Sequence, residues 1–460
     1  MAGLLGIGKS GLEAAQIQLQ VTGNNIANVN TPGYVRREAV QADRQGQYLV
    51  SARGHIGGGV DVVSITRRYD QFLAKELTSG TSAAGGDAAR AEALGGLDSL
   101  LADPENGIGA AIDDLRGAFA DLANQPADPS AREVVLRRAD TLADRFRSTA
   151  GALSMMASDT DARIADSVGV VNGQLEAIAR INRDIAANGS LDGFSPDLLD
   201  QREQLINQVA ASLKVSTVAQ EDGTLSVFAA GGQTLVLGAR ASRLVTEPDP
   251  LDASRLQVGI EQGASTMRLD ASDLSAGELS GLLRFRDDDL AATRVRLDAL
   301  ATGLATAYND GQSAGLDAAG GAGAPLFVAT SAADITRALV DGAGLATALA
   351  PSNEPASDNR NALEMVKLGD AKLVDGMRFT DAFAAMLGDV GARTANAQTA
   401  SATSARLLAD SKAAFTSSAG VNLDEEAAKL LQYQQAYQAS AKVISTAQTL
   451  FDSLLAAVSR

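Results

Sequence analysis

Cysteine and tryptophan are absent from the 460 residues, and histidine occurs once. The first absence removes disulfide frameworks, thiolate nucleophiles and cysteine-ligated metals. The single histidine, His55, has no second imidazole or thiolate with which to share an ion, and stands beside a Gly-rich turn as an ordinary surface residue. Aromatic residues make up only 4% of the chain, so Ala, Leu and Val must build its core, which suits helices packed through small side chains. No apolar run approaches the about 18 residues that would cross a bilayer, and membrane insertion is not expected. Basic residues number 39 against 56 acidic ones, a net charge of −17 that argues against nucleic acid and anionic membrane surfaces as partners. The opening MAGLLGIGKSGLEAAQIQLQ places its Lys after apolar residues and has no continuous apolar core, so a cleaved secretory signal is not expected.

What is present is a seven-residue rhythm at both ends. Leu423, Leu430, Tyr437, Ile444, Phe451 and Val458 recur at that interval, with Tyr433, Ser440, Ala447 and Leu454 three places after the middle members. Such a pattern makes a narrow apolar seam on a helix that coils around a partner. Asn422 suits the cap, Glu425 stands in capping-box position, and Asp424 and Glu426 suit the positive end of the helix dipole. No Gly or Pro interrupts the sequence from Val421 onward, which predicts a helix of about 36 residues and roughly 54 Å. The matching seam is at the other end, where Leu5, Leu12, Leu19 and Ile26 repeat with Ala15, Thr22 and Val29. It stops at NTPGY, whose Pro32-Gly33 reads as a turn with Pro first and Gly second. Closing a loop of some 400 residues costs roughly 5 kcal/mol plus a constant. Each large seam residue returns about 1.5–3 kcal/mol when buried, against the entropy of ordering two long helices. The expectation is a pair that is marginal in the free chain and firm only when other copies cover the rest of the seam.

Between these ends, short strand-like patterns occupy Arg37 to Thr66, including Tyr48-Leu49-Val50, and helical periodicity runs from near Tyr69 to Leu213. Breaks are expected at Gly85-Gly86, Asp103-Pro104, Gln125 to Pro129 and Asn188 to Pro196, with two long helices between Ser130 and Ala187. From Val215 to about Leu274 the period becomes two, with hairpin signals at Asp222-Gly223 and Gly231-Gly232. Helix resumes from Gly277 to about Asn309; Asp310 to Pro325 has no period; Pro351 to Asn359 is a break; and Arg360 to about Asp410 is a final helical run that Asp358 could cap. The fold class is thus mainly α: paired terminal coiled-coil helices and an elongated helical bundle with a small inserted β-domain. The division is 1–40 with 415–460, 41–214 with 277–414, and 215–276.

Two motifs tempt toward chemistry. GLLGIGKS from Gly3 to Ser10 fits the phosphate-loop pattern and overlaps G-x-G-x-x-G, but both need a strand feeding the loop, and only Met1 and Ala2 precede it. A loosened first helical turn is the simpler reading, and a Lys9-dependent nucleotide affinity would revive the other. Asp287-Asp288-Asp289 point about 100° apart on a helix and so do not converge on one cation; a solvated face is expected. No cofactor is expected. A surface adhesin working through residues 216–274 alone is a third class, tested by binding of that segment.

NNIANVNTPGYVRR, from Asn24 to Arg37, resembles the N-terminal signature of flagellar rod, hook and hook-associated proteins, and LLQYQQAYQASAKVISTAQTLFDSLL resembles their C-terminal signature. Those two leave a hook or distal-rod protein open as the alternative. The stretches 119–146, 197–238 and 277–290, with GVNLDEEAAKL at 420–430, narrow the resemblance to the first hook-associated protein family. The resemblance implies a structural axial protein at the hook–filament junction, extracellular on the flagellum, exported unfolded without a cleaved signal and built by self-assembly. It also implies hook protein and the second junction protein as neighbours, and an export chaperone on the C-terminal helix. Within that frame Leu12, Leu19, Ile26, Leu430, Tyr437, Ile444 and Phe451 are expected to hold the inner tube, while Asn24, Asn28, Asn30, Pro32, Gly33 and Tyr34 fix the turn out of it. After about Leu326 the chain departs from longer members, carrying a short connector instead of a further outer domain.

Overall fold

A computed structural model describes residues 2–45, 47–49, 54–102, 107–188, 194–263, 265–374 and 376–458. In chain order, α1 (Ala2–Ala27) leads through a turn to β1 (Arg37–Asp43), β2 (Gln47–Leu49), β3 (Gly54–Ile56) and β4 (Val60–Arg67). Helices α2 (Gln71–Leu101), α3 (Ile108–Asn124), α4 (Pro129–Asn188) and α5 (Pro196–Ser212) follow. Strands β5 (Val215–Ala219), β6 (Leu225–Ala229), β7 (Thr234–Leu237), β8 (Arg240–Ala241), β9 (Leu244–Pro248), β10 (Leu256–Gln262) and β11 (Ser265–Leu269) come next. Then come α6 (Ala271–Leu274), α7 (Glu278–Arg284), a π-helical turn at Phe285–Leu290, α8 (Ala291–Ala314), β12 (Phe327–Val328) and β13 (Thr336–Arg337). The remainder is α9 (Arg360–Lys367), β14 (Lys372–Val374), β15 (Met377–Arg378), α10 (Phe379–Ala419) and α11 (Leu423–Val458). The chain is mainly α with small antiparallel sheets, and its contacts divide it into two compact units.

One unit comprises Gly85–Gly169 and Val245–Thr403. In α3 the apolar residues Ile108, Ile112, Leu115, Phe119 and Leu122 recur every three or four places and are all buried. They meet Leu94 and Leu97 of α2, Leu142, Phe146 and Leu153 of α4, and Leu304 of α8, each at most 1% exposed. The scarce aromatics gather here: Phe119 stacks on Tyr308 at 5.6 Å, and Tyr308 meets Phe327 edge-on at 6.1 Å. The segment that follows α8 forms little regular structure, yet Leu326, Ile335, Leu345 and Ala348 are fully buried in this unit. Its carbonyls are collected by the buried Arg132, whose guanidinium donates to Gly342 O at 3.1 Å, Leu345 O at 2.8 Å and Thr347 Oγ1 at 2.8 Å.

The other unit comprises Met1–Ala84, Val170–Leu244 and Ser404–Arg460. It holds the terminal helices, the β1–β4 ribbon with its bulge at Val40/Gln41, and the four-stranded sheet β5-β6-β7-β8. The Asp222-Gly223 and Gly231-Gly232 turns both form, with Gly223 at φ +79° and Gly232 at φ +84°.

Several expectations need correction. Gly85-Gly86 does not break α2, because a Cβ at Gly86 would come within 2.9 Å of Gly277 O and one at Gly281 would overlap Gly86 O: these glycines let two backbones pass closely. The two long helices between Ser130 and Ala187 are one helix of 60 residues, since no proline interrupts it and its glycines at 151, 169 and 173 are tolerated. Strands within 215–276 form two sheets, β5–β8 and β9–β11, that belong to different units. The final helical run is broken after Lys367 by the β14–β15 hairpin. Asp289 is not on a solvated face: it is 1% exposed, with Arg90 Nε at 2.8 Å and Arg393 Nη1 at 3.0 Å, because the π turn rotates it inward. The break expected at Asp103-Pro104, residues 189–193 of the one expected from Asn188 to Pro196, Val50 and the His55 side chain lie outside the described residues.

A recurring device ties strands to helices. The side-chain amide of Asn172 donates to Leu244 O at 2.8 Å and accepts from Leu244 N at 2.8 Å. Asn182 pairs in the same way with Leu225, and Asn309 with Phe327. An amide side chain presents one donor and one acceptor at the spacing of a peptide unit, so each acts as a one-residue strand partner.

Candidate functional site

Helices α1 and α11 run antiparallel, with Gly8 at Ile444 and Gly11 at Ser440. The approach is close because the facing residues of α1 are small. A Cβ on Gly8 would stand 2.8 Å from Ile444 Cγ1, and one on Gly11 would stand 2.9 Å from Ser440 Oγ. The glycines of GLLGIGKS therefore sit inside a helix; of them Gly8 admits a neighbour, as does Gly11 just beyond the motif, while a Cβ on Gly3 or Gly6 would meet nothing within 4 Å. Lys9 points outward, 3.5 Å from Glu13.

On α1 the enclosed positions are Gly8, Ala15 and Thr22, one every seventh residue, with Ala14, Val21 and Asn25 beside them. The larger members of the expected seam, Leu12, Leu19 and Ile26, are only half-buried. On α11 Leu430 and Ile444 are half-buried, Tyr437 is 38% exposed and Phe451 50% exposed. Continuing the register brings Ala2 level with about Leu450, so Phe451, Leu454 and Leu455 lie past the start of α1 and are at least half exposed. Along the heptad face this chain alone thus encloses the small residues of α1 and covers the large ones only in part.

The turn forms as its residues suggest. Gly33 has φ +79°, and Tyr34 N donates to Thr31 O at 3.2 Å across Pro32-Gly33. Asn28 donates to Asn24 Oδ1 at 2.6 Å and accepts from Thr31 Oγ1 at 3.2 Å, while Asn30 is exposed. Asn24 and Asn28 thus brace the end of α1 locally and do not reach α11.

The residue that does is Asn25, which sequence reasoning passed over. It makes all four bonds available to an amide: it donates to Arg37 O at 3.0 Å and Glu426 Oε2 at 2.9 Å, and accepts from Arg37 N at 3.0 Å and Tyr34 Oη at 2.8 Å. Its signal was position, four after Val21 and three after Thr22, on the enclosed face. Around it Arg36, 4% exposed, places Nε 3.0 Å from Glu426 Oε1 and Nη1 2.7 Å from Glu425 Oε2. Asn422 caps α11 through Asp424 N at 3.0 Å, whereas the Glu425 carboxylate goes to Arg36, which holds it below the usual carboxylate range.

Arg37 pairs with Asp197 on α5 and lies over the Tyr34 ring at 4.9 Å. Arg67 Nε is 2.6 Å from Asp200 Oδ1. Burial pushes the Asp200 carboxyl up despite the lowering influence of Arg67 and Arg37, and burial also raises Glu203, which bonds Tyr69. The two arginines after the turn therefore face two ways, Arg36 to the C-terminal helix and Arg37 to α5. Among the described residues no cluster of His, Asp or Glu is arranged to hold a metal, and no helix is long and apolar enough to cross a membrane.

Three comparisons bear on this arrangement. The flagellar hook-associated protein FlgK helical domain matches residues 94–327. The flagella basal body rod protein model matches 5–34, and the flagellar basal body rod FlgEFG protein C-terminal model matches 412–457. Flagellar hook-associated protein 1 of Salmonella typhimurium is 30% identical over 99% of this chain and the whole of that relative. The Escherichia coli protein of the same name is 29% identical over the same shares, and that of Bacillus subtilis 25% identical over 96% of each. The Salmonella alignment spans 552 positions against the 460 residues here, so the relative carries insertions. The flagellar hook junction protein FlgK from Burkholderia pseudomallei has a similar fold, with a TM-score of 0.69 at 18% identity, over 74% of this chain and 99% of that one.

Proposed function

The chain belongs to the flagellar hook-associated protein 1 family, structural proteins of the hook–filament junction, and from that premise we propose that its α1–α11 pair is the part that assembles. The observation that carries the proposal is the half-covered seam. The seam members Leu423, Phe451 and Leu454 of α11 are each at least 50% exposed, and so are Leu431, Leu450 and Leu455 on its other faces. Large apolar side chains exposed in such number on one helix mark contacts with other chains. Neighbouring copies would cover them, with Leu12, Leu19, Ile26, Leu430, Tyr437, Ile444 and Phe451 at the contacts. Asn24, Asn28, Asn30, Pro32, Gly33 and Tyr34 would set the direction in which the chain leaves the tube.

In this reading residues 1–40 with 415–460 form the inner tube, 41–214 with 277–414 make lateral contacts, and the strands of 215–276 face outward. The connector at 311–358 would stand where longer relatives carry an added outer domain. Hook protein below and the second hook-associated protein above are the axial neighbours. A C-terminal helix with exposed apolar turns also suits capture by an export chaperone, followed by passage through the type III channel without a cleaved signal.

The test is antibody labelling of sheared flagella, together with deletion of the gene. The expected result is label confined to the boundary between hook and filament, and deletion strains with complete hooks lacking filaments. Label spread along the hook, or deletion strains without complete hooks, would instead make it a hook or distal-rod protein.

A further inference from the structure

A seven-residue repeat on both helices leaves their relative position open. Sliding α1 by seven residues against α11 sets seam residues against seam residues again, so apolar matching alone tolerates several registers. We propose that the buried polar node of Asn25, Arg36 and Glu426 selects one register of the α1–α11 pair, and thereby decides which side chains the pair presents to its neighbours.

Four observations support this. Glu426 begins the row of α11 that continues with Tyr433, Ser440, Ala447 and Leu454; it and Ala447 are the buried members, and it is the one charged member. It is 1% exposed and is held by Asn25 at 2.9 Å and Arg36 Nε at 3.0 Å. A slip of α1 would also break the bonds of Asn25 to both backbone groups of Arg37, which lies beyond the turn in β1 and is held there by pairing with β4. A slip of seven residues that set Asn25 against Tyr433 would part Asn25 from Glu426 and place its amide beside an aromatic ring instead of a carboxylate. Parting a buried carboxylate from its partner disfavours the slipped state, and a single polar residue in an apolar seam is a known way to fix register. The small residues at Gly8 and Gly11 allow close approach at any register that presents room, so they discriminate less.

The absence of cysteine makes the register directly readable. A Cβ on Gly11 would lie 3.7 Å from Ser440 Cβ, the separation found across a disulfide. Three double variants of the full chain suffice: Gly11→Cys with Ser440→Cys in register, and Gly11→Cys with Tyr433→Cys or Ala447→Cys for slips of one repeat. In the otherwise native chain the first pair is expected to close at least about tenfold faster than the other two under the same oxidant, as fits the cost of an unpaired buried carboxylate. Adding Glu426→Leu, which removes the row's one charge, is expected to bring the three rates within a few-fold of one another. Glu426→Gln, which keeps an acceptor for Asn25, is expected to retain the preference.

Single-register closure in Glu426→Leu and in Asn25→Leu, with helix content unchanged by circular dichroism, would overturn the proposal. So would loss of all three cross-links together with the helical signal, since the node would then be needed for pairing rather than for the choice of register. The consequence for neighbours rests on the assembly reading above and is tested separately. The in-register disulfide is expected to restore filament growth to Glu426→Leu. If registers shift as described but filament growth is unaffected, the assembly reading fails and the register lock stands.

Discussion

The α3–α4–α8 core and the α1–α11 pair are both made of amphipathic helices, yet they close their surfaces differently. In the first, Leu115, Leu142 and Phe146 have no exposed area at all. In the second, the enclosed residues are Gly8, Ala15 and Thr22, while Leu12, Leu19 and Ile26 remain half in water and Phe451 is 50% exposed. One region has its partners within the chain. The other has its close contacts within the chain and its apolar area outside them, which is the distribution expected of a surface completed by other copies.

Substitutions should separate the two. The largest effect is expected at Phe146→Ala, which empties a fully buried site and should cost about 3–5 kcal/mol in urea unfolding of the purified protein. Arg36→Ala removes the charge facing the 1% exposed Glu426 and should cost about 3 kcal/mol in the same measurement. Leu19→Ala should cost the isolated chain about 1 kcal/mol or less, as fits a side chain only half removed from water, yet sharply reduce the fraction of cells bearing filaments. Equal effects of Leu19→Ala and Phe146→Ala on unfolding would erase the contrast.

A smaller effect is expected from pH. Burial raises the carboxyls of Asp200 and Glu203, so the folded chain holds those protons to higher pH than the unfolded chain does. Their contribution to stability is full below the unfolded value of about 4 and is lost as pH rises through the raised folded values. Glu203→Gln, which keeps a partner for Tyr69, should therefore lose less stability than the native chain between pH 4 and pH 7, read by urea titration at each pH. The smallest effect is expected at exposed Asn30→Ala, within about 0.5 kcal/mol of the native chain.

Local chemistry explains what could be read from sequence. The Pro32-Gly33 turn, the Asn422 cap, the two hairpin glycines and the heptads were legible because each signal lies within a few residues of what it specifies. What was missed depends on distant neighbours. Gly85-Gly86 signals a break in isolation and a helix crossing only once Gly277 and Gly281 lie beside it. Asp289 looks like one of three solvated acids until the π turn carries it to Arg90 and Arg393. Beyond the stretch from Asp310 to Pro325, which has no period, the chain is held by a distant side chain, Arg132, that collects the carbonyls of Gly342 and Leu345. At the site itself the choice among neighbouring asparagines was the hard one. Asn24 and Asn28 shape the turn, and Asn25, with the same chemistry, joins the ends because α1 faces it inward.

Hydrogen exchange of the dilute purified chain is the most direct measurement of whether the terminal pair is completed from outside. The account expects slow exchange in α3 and in the part of α4 around Leu142 to Leu153. It expects fast exchange at the start of α1 and from Leu450 onward in α11, with strong protection there once the protein is part of the flagellum. Terminal amides of the dilute chain as protected as those around Phe146 would contradict it.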